Sequence, residues 1–134
     1  MARITPFVYL FSAPACGLIK VGYTSEIKRR LYHLRWGNLA PYVPLEAKNG
    51  RYIMLIGCVD VPLAQRTERH IQEVLAAYRI EPSRTSGGKP EWFRIDEDTA
   101  ILAVDENILP LADFSPVIGP NECREYFDCD NRSH

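Results

Sequence analysis

Two runs of β-branched and aromatic residues, Phe7–Phe11 and Leu18–Tyr23, flank the stretch Ala13-Pro14-Ala15-Cys16-Gly17. Such side chains suit a pleated surface buried on at least one face. Proline and glycine between them supply a chain reversal. The start of the chain is therefore expected to be a β-hairpin. Its loop is longer than the two residues of a tight hairpin, so the register stays open at this point. A lone hairpin is at best marginally stable in water. The remaining chain must cover it.

Beyond the hairpin, helix and strand signals alternate. Thr24 or Ser25 is placed to cap a helix whose Ile27, Leu31 and Leu34 form one apolar stripe, with Trp36-Gly37-Asn38 as its stop. Residues 37–50 hold glycine, proline and Asn49-Gly50 breaks and read as a loop. Ile53–Val59 is a nearly continuous apolar run, which suits a strand buried on both faces. Asp60 and Pro62 mark the start of a second helix, with Leu63, Thr67, Ile71, Val74, Leu75 and Tyr78 on its inner face. Residues 80–90 read as a flexible loop and Glu91–Ile95 as a short extended segment. Asp96-Glu97-Asp98 puts negative charge at the start of a third helix reaching about Asn107. The expected class is α/β (α+β): a small, mainly antiparallel three-stranded sheet flanked by helices over residues 1–108. Residues 109–134, broken by Pro110, Pro116 and Pro120, are expected to form an acidic, irregular tail.

Length and charge narrow the function. At 134 residues there is room for one core. No apolar run approaches the ~20 residues that cross a bilayer, and the first residues do not form a secretory signal. A cytoplasmic protein without a membrane partner is expected. Residues 1–94 carry fourteen Lys/Arg against seven Asp/Glu, whereas residues 95–134 carry two against ten. A basic body with an acidic tail fits a nucleic-acid binder whose tail contacts a protein partner or folds over the basic cleft; a solvated surface with chance clustering fits as well. The four cysteines form no CxxC pair. Cys123, Cys129 and His134 match no standard zinc spacing well, and Cys58 sits in an apolar run as a packed thiol.

Hydrolysing a phosphodiester requires a group that takes a proton from water, charge to balance the crowded phosphorus, and a stabilised leaving oxygen. Tyr9, Arg30 and Glu68 are suitable residue types if the fold gathers them. Taken singly, each has a plainer explanation. Tyr9 suits a packed strand aromatic, Lys20 an edge-strand charge, and Arg30 and Glu68 solvated helix positions. The basic run Lys28, Arg29, Arg30, Arg35, extended by Arg66 and Arg69, suits phosphate tracking.

Phe7-Val8-Tyr9, Lys20-Val21-Gly22, Arg30, Glu68 and Glu91-Trp92-Phe93 together resemble the GIY-YIG nuclease superfamily, in the phage-type subgroup that writes its second motif as Lys-Ile-Gly. The resemblance spans residues 7 to about 95. It implies a metal-dependent endonuclease, with DNA as the favoured substrate, using one Mg²⁺ (or Mn²⁺) held by Glu68. Tyr9 would deprotonate water, with Lys20 assisting, and Arg30 would stabilise the transition state. Lys20 stands where the second tyrosine usually sits, and His33 falls one residue short of a histidine found in many members. His33, Tyr23 and His70 are accessory candidates. A nuclease-like module that binds nucleic acid without cutting it, and a small protein-interaction factor, are the alternatives.

Overall fold

The computed structural model describes residues 5–14, 17–36, 49–80, 92–111, 114 and 117–124. The element order is β1 (Phe7–Ala13), β2 (Leu18–Thr24), α1 (Ile27–Trp36), β3 (Arg51–Gly57), α2 (Val61–Val74), β4 (Trp92–Arg94), α3 (Glu97–Asn107) and β5 (Val117–Ile118). β1 and β2 form the expected hairpin, and the open register closes with Ala13 opposite Leu18 and Phe7 opposite Thr24. Gly17 makes the turn possible: its φ is +68°, and its N–H donates to the Pro14 carbonyl at 3.2 Å.

The strands pair antiparallel in the order β4-β2-β1-β3-β5. The sheet therefore has five strands, where three were expected. The two added strands are short, three and two residues, and such segments leave almost no periodic signal. Within the stretch expected to form the tail, Val117 and Ile118 pair with Ile56 and Leu55, and residues 120–124 are helical. Cys123 packs in the core beneath them.

Burial on both faces explains why β1 and β3 read as unbroken apolar runs. One face, with Val8, Leu10, Val21 and Ile56, is covered by Ala64 and Ile71 of α2 and by Ala100 and Val104 of α3. The other face, with Tyr9, Phe11, Tyr52 and Trp92, is covered by Leu31 and Leu34 of α1 and by Cys123. A bulge in β3 at Ile53, which the register skips, puts Ile53 and Met54 on the same face and re-aims Tyr52 toward the second one, opposite Phe11.

The helix starts agree with the capping residues in the sequence. The Thr24 hydroxyl accepts the Glu26 N–H at 3.0 Å just before α1. Asp60 accepts the Leu63 N–H at 2.8 Å at the N-cap of α2, and Asp96 accepts the Thr99 N–H at 3.0 Å at that of α3. The predicted inner face of α2 holds at Thr67, Ile71 and Leu75, but Tyr78 is exposed because the helix ends at Val74 and a tighter turn rotates it outward. Among the described residues no helix is long and apolar enough to cross a membrane.

Candidate active site

Among the described residues, β4 pairs with the first three residues of β2. Along Gly22-Tyr23-Thr24 the outer edge of β2 thus has no strand partner among the described residues. α1 lies on one side of this edge and α2 on the other. Between them opens a cleft of about 970 Å³, lined by Tyr9, Gly22, Tyr23, Thr24, Ser25, Glu26, Arg30, Gln65, Glu68, Arg69 and Gln72.

Three of the four predicted catalytic side chains meet here. Tyr9 comes from the middle of the central strand, Arg30 from the first turn of α1, and Glu68 from the middle of α2. The Arg30 guanidinium donates to the Tyr9 hydroxyl across 3.4 Å, a long bond. Gly22 lies directly opposite Tyr9 in the ladder. A β-carbon at Gly22 would collide with the Tyr9 hydroxyl and come within 2.6 Å of its ring carbon, so glycine here is what lets the ring lie across the strand to the cleft.

The rest of the Tyr9 ring is gripped by aromatics. Its centroid is 5.4 Å from that of Tyr52; Tyr52 meets Phe11 at 6.3 Å, and Phe11 meets Trp92 at 6.3 Å. Tyr52 is anchored in turn by donating to the Ile27 carbonyl at 2.7 Å. Burial first, and the adjacent Tyr9 second, push the Tyr52 phenol far above its ordinary range, so it stays neutral as a prop for Tyr9.

Lys20, the fourth predicted residue, is one pair further along the same sheet face, opposite Phe11 and beside Trp92. It does not line the cleft; its Nζ lies 5.4 Å from the centroid of the Trp92 ring. Of the accessory candidates, Tyr23 lines the cleft and its hydroxyl accepts from Gln65 Nε2 at 3.1 Å. His33 instead lines a shallower recess with Thr24, Glu26, Arg29 and Arg30, and His70 lines neither.

The basic residues divide similarly. Arg69 lines the cleft; Lys28, Arg29 and Arg66 are exposed beside it. Arg35 is committed to the scaffold, donating to the Gly50 carbonyl at 2.8 Å. Sequence reasoning passed over Glu26, Gln65 and Gln72. The two glutamines lie with Glu68 at helical spacing on one polar stripe of α2, the same periodicity that located the apolar stripe of Thr67 and Ile71. Of the Cys123, Cys129 and His134 group, only Cys123 lies within the described residues; it is buried and donates to the Ile118 carbonyl at 3.8 Å.

In the comparisons with known proteins, residues 6–107 match the T5orf172 domain. No curated protein and no solved structure matches the chain.

Proposed function

The chain belongs to the T5orf172 domain family, and from that membership we propose that it is a metal-dependent endonuclease of the GIY-YIG type acting on DNA. T5orf172 domains are associated with endonuclease-like proteins. The observation that carries the reading is the convergence of Tyr9, Arg30 and Glu68, from three separate elements, on one cleft.

The cleft suits a hard cation. Glu68 is a half-buried carboxylate facing an open polar space, and Mg²⁺ commonly takes one or two carboxylates with water and substrate phosphates completing its shell. No group of three or more His, Cys, Asp or Glu side chains occurs among the described residues, so substrate and water must supply the other ligands. When bound, a divalent ion draws negative charge from the scissile phosphate and the departing oxygen. Tyr9, its ring fixed by Gly22 and Tyr52, is fully buried in the ligand-free chain, so in this reading substrate binding uncovers its oxygen, the phenol first gives up its own proton to solvent, and the phenolate then takes one from the attacking water. Arg30 balances the charge that builds on the phosphorus oxygens. Arg69 and the exposed Lys28 and Arg66 hold the flanking backbone. For Lys20 to assist Tyr9, its ammonium has to move from beside the Trp92 ring to the cleft.

That position of Lys20 favours the second reading, a module that binds nucleic acid without cutting it. Incubating supercoiled plasmid with the protein, with and without Mg²⁺, separates the two. The nuclease reading expects Mg²⁺-dependent nicking that Glu68→Ala and Arg30→Ala abolish while circular dichroism stays unchanged. Nicking retained by either folded variant overturns the assignment of that residue. Retained DNA binding with no nicking by the unaltered protein selects the second reading.

A further inference from the structure

The outer surface of α1 carries chemistry that cleavage does not need. A recess of about 230 Å³, lined by Thr24, Glu26, Arg29, Arg30 and His33, lies beside the cleft and shares Thr24, Glu26 and Arg30 with it. The two spaces thus share a wall, and Arg30 faces both. Next to the recess, Tyr32 is 62 % exposed, an unusual position for a large aromatic, and its ring centroid is 6.1 Å from that of His33 at 61°. α1 itself contains no acidic residue.

We infer that this surface is a flanking-nucleotide subsite, in which Arg29 and His33 hold the phosphate next to the scissile one and Tyr32 stacks on the unpaired base of that nucleotide. The inference rests on the nucleic-acid reading of the cleft and on the spacing of the parts. A polynucleotide with its scissile phosphate beside Arg30 must run its neighbouring phosphate along one wall of the cleft, and the recess is the adjoining space lined by cationic side chains. Among the described residues the only carboxylate lining it is Glu26, whose ion pair with Arg29 at 3.6 Å is exposed on both partners. Such a pair is weak and easily exchanged, so Arg29 can turn from Glu26 to a phosphate. Aromatic stacking needs a base free of its duplex neighbours and tolerates any sequence. The subsite therefore selects substrates with an unpaired nucleotide beside the cut, such as a gap, flap or single strand, without reading its identity.

The test measures binding of the full chain to a fluorescein-labelled single-stranded 12-mer DNA by anisotropy, in EDTA, so that neither metal nor cleavage enters. Tyr32→Ala is expected to weaken binding about tenfold, in line with the stacking contribution of one base. The loss should vanish on a 12-mer made entirely of abasic residues. Arg29→Ala should weaken binding to both oligonucleotides and lower the salt slope, whereas Glu26→Gln should tighten both. Equal affinities for the unaltered protein and Tyr32→Ala on the normal 12-mer overturn the inference, as does an equal loss on both oligonucleotides. Mg²⁺-dependent cutting of a gapped duplex by the unaltered protein is scored separately, because an intact plasmid offers no unpaired nucleotide beside the cut. Cutting with no Tyr32 effect removes the subsite and keeps the nuclease, while a Tyr32 effect with no cutting of gapped duplex or plasmid keeps the subsite and removes the nuclease.

Discussion

Two polar clusters sit on the same sheet, and they are built on opposite plans. At one end, Ser12 donates to Glu97 at 2.6 Å and Arg51 donates to the same carboxylate at 3.1 Å. Opposite charges meet, and the group ties β1 and β3 to the first turn of α3. Along Gly22-Tyr23-Thr24 of β2, by contrast, Arg30 reaches the buried Tyr9 over 3.4 Å, and Arg30 and Glu68 line a cleft of about 970 Å³ with Tyr9 in its wall. The first cluster satisfies itself and acts as a pin. The second directs its groups into a cleft with room for a substrate. Residue type alone does not separate them, since each combines a hydroxyl, an arginine and a glutamate; geometry does.

The contrast breaks if the wrong cluster controls cleavage. The largest expected effect is at the cleft. Glu68→Gln and Arg30→Ala should each lower the Mg²⁺-dependent nicking rate by about 10²–10³-fold or more, the scale of losing one transition-state charge partner, with a Tm shift too small to explain it. Gly22→Ala should affect both readouts. The added carbon meets the Tyr9 ring, costing about 1–3 kcal/mol as overpacking and displacing the hydroxyl, so nicking per folded molecule falls as well. Glu97→Ala should lower stability by about 1–3 kcal/mol, because the buried Ser12 hydroxyl loses its acceptor. Nicking per folded molecule should stay unchanged, and urea titration alongside the plasmid assay checks both. Loss of nicking in folded Glu97→Ala would collapse the distinction.

The smallest effect is in alkali. Burial raises the pKa of both Tyr52 and Cys58 in the folded chain above their ordinary values of 10.0 and 9.0. A folded state that resists ionisation loses stability once the unfolded chain begins to ionise. Stability should therefore be level below about pH 9 and fall as pH rises through 9 and 10 toward the folded values. Tyr52→Phe, at the cost of the bond to the Ile27 carbonyl, should flatten that decline. An unchanged pH profile in Tyr52→Phe would show that the phenol plays no part in it.

Each feature was readable in the chain only to the extent that it leaves a mark on the order of residues. The hairpin, α1 and α2 were legible because apolar period, caps and breakers agree there, as Asp60 and Pro62 do for α2. Of the outer strands, β4 falls within Glu91–Ile95, the segment read as extended, but Val117–Ile118 is too short for any period to show and covers the edge of β3. The candidate site was legible as residue types at intervals, and Tyr9, Arg30 and Glu68 line one cleft. The position of Lys20 over Trp92 was not, because the two are distant along the chain and become neighbours only through the pairing of β2 with β4. Nor was the cleft itself, which forms only where α1 and α2 flank one stretch of β2.

The last strand has a consequence for the order of assembly. Ile118 and Cys123 pack into the same cluster as Tyr9, Phe11 and Tyr52. A chain leaving the ribosome amino end first cannot finish the wall behind its proposed proton acceptor until these late residues have emerged. The proposed site then stays unfinished until Val117–Cys123 has been made, and a fragment ending before Val117 should be a poor nuclease even though it carries Tyr9, Arg30 and Glu68.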